Sequence, residues 1–154
     1  MSSRPPIAAL VFAVLLGAMA AGQLASFGAF RDALDGYGLL ESVREVAAVV
    51  VAAELVAAAG LLASAFAPRW IGRGAGLVGL GVATFWTVLA AQAFARGLEL
   101  DNCGCFGAYL AQPLRWWVLV EDAYMLALAW YAAAAAGLPI PTPALRLRRT
   151  QEAT

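Results

Sequence analysis

The chain is written in long apolar runs separated by short polar ones. The first uncharged run extends from Ile7 to about Phe27, roughly 20 residues, which is the length a helix needs to cross a bilayer. Comparable runs cover about 46–66, 74–95 and 114–136. The pattern predicts an all-α membrane protein, a four-transmembrane-helix bundle forming a single integral membrane domain over 1–154 with a polar C-terminal tail at 137–154. An Ala-rich N-terminal run also fits a secretory signal. Its length favours a span, as do Ala9, Ala13, Gly17, Ala21 and Ala25, small residues repeating every four positions as in closely packed membrane helices.

The connecting segments refine this picture. Residues 28–44 carry Arg31, Asp32, Asp35, Glu41 and Arg44, with Phe30, Leu34 and Tyr37 on one helical face. That spacing predicts a short amphipathic helix in the first loop, lying at the interface and ended by Gly36 and Gly38. Residues 67–73 read as a tight basic turn, and Pro113 as part of the first turn of the last helix. Trp116 and Trp117 at one end of that helix, with Trp130 and Tyr131 towards the other, fit interfacial aromatic belts.

Four spans place both termini on one side. That side carries Arg4, Arg69, Arg73, Arg146, Arg148 and Arg149, against Arg31, Arg44, Arg96 and Arg115 on the other. The excess of arginine favours cytoplasmic termini in a cell (plasma or inner) membrane. The loop between the third and fourth spans then faces outward, where disulfides persist.

Composition agrees with membrane lipid as the solvent. The 154 residues are 63% hydrophobic and 13% charged, against about a quarter charged in a soluble domain. The formal net charge is zero, so no basic surface argues for nucleic acid.

The outward loop holds both cysteines of the chain, in Asn102-Cys103-Gly104-Cys105-Phe106-Gly107. Two cysteines one residue apart close on each other only through a small, strained ring, which Gly104 makes accessible. A strained disulfide is readily reduced, so the pair suits reversible exchange better than permanent stapling. A zinc site usually needs four ligands, and the chain has no histidine and no third cysteine, so no metal is expected.

The few polar residues of the spans gather beneath this loop. Glu54 falls roughly 12 Å below the outer surface by helix rise. Glu121 and Asp122 lie at similar depth on the last helix, and Gln92 and Gln23 near the outer ends of the third and first. Carboxyls in lipid are costly, so they should face the bundle interior and pair with one another or with arginine. Glu54 is expected to point towards Gln92, Glu121 or Asp122, with Arg96 as an alternative partner. The cluster reads either as interhelical glue or as a proton relay serving the thiols.

These elements together resemble the DoxX-like membrane proteins, and within them the methylamine utilization protein MauE family. Gly22, then Phe30 to Leu40, is similar to that family's glycine followed by a Phe…Leu…Tyr-Gly-Leu-Leu stretch. Glu54-Leu55 is similar to its intramembrane Glu, and Cys103-Gly104-Cys105-Phe106-Gly107 to its Cys-x-Cys-Phe-Gly signature. Asp122 fits the second position of its Arg-Asp/Asn pair. Glu121 stands where the Arg would be, and Ala25 near the place of its usual lysine. The resemblance implies an integral membrane factor for maturation of exported or periplasmic proteins, linked to disulfide formation alongside a thioredoxin-like partner.

The combined expectation is a membrane thiol–disulfide factor, possible as an oxidoreductase, with Cys103 and Cys105 as the exchanging pair and Glu54, Glu121, Asp122 and Gln92 in support. One pair cannot relay electrons to a second internal pair. A thioredoxin-like or client protein on the outer face, or a quinone, would complete the cycle. The alternatives are a small transporter or ion-translocating subunit using the intramembrane carboxyls, and a non-catalytic assembly subunit.

Overall fold

A computed structural model of the chain describes residues 7–64, 66 and 68–141. It contains five helices: α1 (Ile7–Ala25), α2 (Phe27–Asp35), α3 (Val43–Ala63), α4 (Arg69–Ala95) and α5 (Trp116–Ala135). Four of them, all but α2, are long and apolar enough to span a membrane. No strand occurs among the described residues. The protein is therefore an all-α, multi-pass membrane protein. The spans pack in a closed ring, α1 on α3, α3 on α4, α4 on α5 and α5 back on α1, with the α1–α5 seam the least closely packed. The arginines of the N-terminal lead and of the tail beyond Pro141 lie outside the described residues.

Element boundaries shift from the sequence expectation for local reasons. The chain enters α3 at Val43, with Ser42 as the preceding residue. The expected basic turn is in part helix: Arg69 to Arg73 form the first turns of α4 behind an extended Pro68 (ψ 147°), since proline is tolerated just ahead of a helix and arginine is a good helix former. α5 starts at Trp116, after Pro113. Two backbone bonds, Leu114 N–H to Leu100 O and Cys103 N–H to Gln112 O (2.8 Å each), hold the two ends of the loop side by side. That pairing keeps the residues before α5 extended, as Arg115 shows (φ −136°, ψ 171°).

The buried face of α1 comprises Ala9, Phe12, Ala13, Leu16, Met19, Ala20 and Gln23. They form two adjacent rows, 9-13-16-20-23 and 12-16-19-23, each stepping alternately by four and three residues, which follows the 3.6-residue turn. The strict four-residue row expected to mediate packing does not do so throughout. Ala9 and Ala13 are buried, but Ala21 and Ala25 are exposed and a Cβ at Gly17 would meet nothing within 4 Å. Each four-residue step overshoots one turn by about 40°, so the row drifts off the packed face.

Close approach is instead concentrated on α4. A Cβ on Gly76 would lie 3.0 Å from Ala133 Cα of α5, and one on Gly60 of α3 would lie 2.6 Å from Ala75 Cβ. The short α2 is amphipathic as expected: Phe30 and Leu34, followed by Tyr37, are fully buried, while Arg31 and Asp32 pair on its outer face at 2.8 Å. It is packed down on α1 and α3, with the Phe30 ring 6.1 Å from that of Trp86. The chain leaves it through Gly38 in a left-handed conformation (φ 65°), whereas Gly36 remains right-handed.

Gly76→Val should force α4 away from α5 and lower thermal stability by about 1–3 kcal/mol, the usual range for overpacking. Gly81→Ala, at a glycine whose added Cβ would meet nothing within 4 Å, should leave the melting temperature unchanged or raise it. Thermal unfolding of the two detergent-solubilised variants checks the contrast.

Candidate functional site

The Cys loop connects two spans but does not stand clear of the helices. It is folded down on the corner between α1 and α2. Tyr37 Oη donates to Cys103 O (2.9 Å), and Gln23 Nε2 donates to Cys105 O (3.0 Å). Ala108 N–H donates to Ser26 Oγ (2.8 Å), which itself donates to Gly22 O (2.8 Å). The approach is so close that a Cβ on Gly22 would stand 2.5 Å from Phe106 O, which explains why glycine occupies this position. Within the loop Asn102 braces the turn: its Oδ1 accepts from Gly104 N–H and its Nδ2 donates to Gly107 O, both at 2.9 Å.

Gly104 sits at φ 88°, a conformation side-chain-bearing residues rarely adopt. This turn folds the two cysteine side chains towards each other. Both thiols are free, with sulfurs 3.4 Å apart. Cys103 is buried (2% exposed) and Cys105 is partly exposed. Their mutual hydrogen bond separates their acidities. The S–H of Cys105 stabilises a Cys103 thiolate and holds the Cys103 thiol below the ordinary range, against the opposing effect of burial. Cys105, the donor in that state, is pushed well up, with burial adding to the effect.

Beneath the loop, Glu54 is fully buried in the bundle interior, as its cost in lipid requires. Its partners differ from the expected ones. Glu54 Oε1 accepts from Trp86 Nε1 (2.9 Å) on α4 and from Gln23 Nε2 (3.2 Å) on α1. Gln23 Nε2 thus serves both Glu54 and the Cys105 carbonyl, tying the buried carboxyl to the loop backbone. Gln92 is not part of this cluster. It accepts from Arg96 (3.0 Å), which also donates to Tyr37 O (2.8 Å), so Arg96 braces the α2 exit instead of pairing with Glu54. Glu121 is exposed and accepts from Gln112 of the loop (2.9 Å). Asp122 turns inward and is buried (6% exposed).

Trp86 and Tyr37 are the members that the sequence reading passed over. Each carries a readable signal: an indole N–H or phenol O–H in an apolar helix must find an acceptor. Tyr37 shares the apolar face of Phe30 and Leu34, and its hydroxyl adds the need for an acceptor. Three buried side-chain oxygens, Gln23 Oε1, Glu54 Oε2 and Asp122 Oδ2, have no partner among the described residues. Between α1, α4 and α5 lies a cleft of about 250 Å³, with Cys105 and Phe106 at its loop end and Met19, Trp86, Asp122 and Met125 among its walls.

The family profile of methylamine utilisation protein MauE matches residues 2–136. The chain belongs to the MauE family. Searches of curated proteins and of solved structures returned no match. The family match spans all the residues of the site described above, from Gly22 to Asp122.

Glu54→Leu should lower thermal stability by about 1–3 kcal/mol, because it strands the Trp86 N–H and removes one acceptor of the Gln23 amide in a dry interior. Glu54→Gln retains a carbonyl acceptor and should lie close to wild type. Equal melting temperatures for the Leu and Gln variants would rule out this network as a stabilising one.

The acidity split predicts a pH profile. Thiolate is the reactive form and grows as pH rises through the pKa, so a lowered pKa places the alkylation midpoint of Cys103 below that of a free thiol, about 8.5. Cys105→Ala removes the donor and should move the Cys103 midpoint upward. Mass-spectrometric alkylation profiles of the reduced protein measure both midpoints; an unmoved midpoint would refute the mutual hydrogen bond.

Proposed function

We propose that the protein is a membrane thiol–disulfide factor that supports disulfide formation in, or maturation of, an exported protein, with Cys103 and Cys105 as the exchanging pair. The observation that carries this reading is the pair itself: two free thiols 3.4 Å apart on a left-handed Gly104, with unequal acidity. Exchange proceeds by attack of a thiolate on a sulfur. In disulfide formation a partner thiolate attacks Cys105, the more exposed sulfur of the Cys103–Cys105 disulfide, and the more acidic Cys103 leaves as thiolate; the partner's second thiol then displaces Cys105 from the mixed disulfide. In such a cycle the Cys103–Cys105 disulfide takes up two electrons and two protons and becomes two thiols, while two thiols of a thioredoxin-like or client protein become a disulfide. Membership of a family of methylamine utilisation proteins supports methylamine utilisation as the setting of this activity. The reading places the loop on the outer face of the cell membrane with cytoplasmic termini, in line with the arginine distribution.

The docked loop adds a requirement. Cys103 is shielded, so a protein partner reaches it only when 102–107 lifts from α1 and α2 and the Tyr37 and Gln23 hydrogen bonds to the loop carbonyls open. A second reading is favoured by the unpartnered oxygens of Glu54 and Asp122: proton movement through the bundle, with the thiols incidental.

Alkylation trapping in native membranes separates the two. The wild-type pair should shift between dithiol and disulfide as the redox poise of the outer compartment changes. Cys103→Ser and Cys105→Ser should each abolish client maturation while accumulating normally. A membrane-impermeant thiol reagent should reach the reduced pair in intact cells. Full client maturation in the double serine variant would transfer the function to the carboxyls, and labelling only after permeabilisation would invert the topology.

A further inference from the structure

The cleft beside Cys105 is placed unusually for a site that serves only a soluble protein. Its walls reach from the Cys loop down to Leu15, midway along α1, and to Tyr124 and Met125, midway along α5. It lies where α1 and α5, the least closely packed neighbours of the ring, meet. Tyr124 is 56% exposed on the outside of the bundle at that level. An entry at that level is lateral, towards the hydrocarbon region of the bilayer, by which a lipid-dissolved molecule can enter, while the polar wall residues Gln112 and Glu121 pair with each other at the loop end.

Three features define what fits. The walls are largely apolar and aromatic, with few polar groups, as in sites for small organic ligands. The volume of about 250 Å³ lies just below the usual range for such sites, about 300–1,000 Å³, and so suits one substituted ring while a long tail remains in the lipid. Asp122, buried to 6% exposure, lines the cleft and has no partner for Oδ2 among the described residues. A carboxyl so placed can hydrogen-bond a ring oxygen, as donor to a carbonyl when protonated or as acceptor from a hydroxyl when ionised. At the loop end the cleft meets Cys105 and not Cys103.

We propose that this cleft binds the ring of a membrane-dissolved quinone, with Asp122 on a ring oxygen and Cys105 facing the ring, and that the quinone is the electron acceptor which returns the cysteine pair to the disulfide. The proposal rests on the thiol–disulfide reading above and names its oxidant. Cys105 Sγ loses its proton and bonds to a ring carbon; Cys103 Sγ, losing its own proton, attacks Cys105 Sγ; the S–C bond breaks and its electron pair returns to the ring. Two electrons pass from the thiols to the ring, the two thiol protons end on the two ring oxygens, and the products are hydroquinone and the Cys103–Cys105 disulfide. The buried Cys103 never needs to leave the loop for this half of the cycle.

The test uses the full chain in lipid nanodiscs, with the pair reduced and oxygen excluded. The probes are a fully substituted short-chain benzoquinone and, separately, hydroxyethyl disulfide. Dithiol loss is read by mass-tag alkylation and hydroquinone by absorbance. The benzoquinone should oxidise the wild-type pair with one hydroquinone formed per disulfide. Leu15→Trp, which fills the end of the cleft remote from the Cys loop, should slow benzoquinone oxidation at least tenfold relative to hydroxyethyl disulfide oxidation of the same variant. Asp122→Leu should weaken benzoquinone use in the same relative sense. Val56→Trp, on the exposed face of α3, should change neither.

Should hydroxyethyl disulfide oxidise the pair while the benzoquinone does not, or should Leu15→Trp leave the ratio unchanged, the quinone site is refuted and the thiol–disulfide reading stands. If neither reagent converts the pair, that reading fails and the proposal with it. An azido-benzoquinone photolabel on the wild type gives a readout independent of variant folding. Label is expected on α1 and α5 peptides that include Met19 or Met125, and label confined to other helices overturns the site.

Discussion

Water is scarce inside a helical membrane bundle, so a buried polar group there is stabilised chiefly by other protein groups. In this protein that constraint converges on the side chain of Gln23. Its amide nitrogen faces the Glu54 carboxyl below and the Cys105 carbonyl above. Without it, a buried acid and a loop carbonyl would each lose a donor at the same place. The Trp86 indole holds the other side of Glu54, so α1, α3 and α4 are joined around one oxygen atom. The Cys loop is mounted on that junction. The cysteine turn is thus anchored in the bundle's polar interior while Cys105 stays partly exposed.

The parts of this arrangement that were legible in the sequence are those written in length and cost. Four apolar runs of spanning length fix four helices, and the Cys-Gly-Cys segment falls between the last two. The interior position of Glu54 follows from the expense of exposing a carboxyl to lipid. The identity of its partners does not follow. α3 is built of Ala, Val and Leu nearly all round, and such a helix carries little rotational information. Depth therefore suggested Gln92, whereas rotation about the helix axes selected Gln23 and Trp86. The mixed fate of Glu121 and Asp122 has the same origin: neighbours in sequence point about 100° apart, and only Asp122 turns inward.

The docking of the loop was hidden for a different reason. It is carried by main-chain carbonyls and by Gly22, whose contribution is the side chain it lacks. A hydropathy pattern records neither. The family's glycine at Gly22 and aromatic at Tyr37 could be matched as letters, but their shared role appears only when Phe106 and Cys103 are seen against them. Family membership and geometry are complementary here: the first names the stretch, and the second shows that Gly22, Tyr37 and the Cys turn form one joint.

That joint has a consequence for the chemistry it holds. Tyr37 and Gln23 grip the cysteines by their carbonyl oxygens, and a carbonyl oxygen is indifferent to what its own side chain is bonded to. While the loop stays docked, the sulfurs can be thiols, a disulfide or a small adduct on Cys105 with the same two hydrogen bonds in place. The bundle is thereby insulated from the state of the reaction it carries. Such a mount behaves as a fixed bench for a reagent and not as a sensor of it.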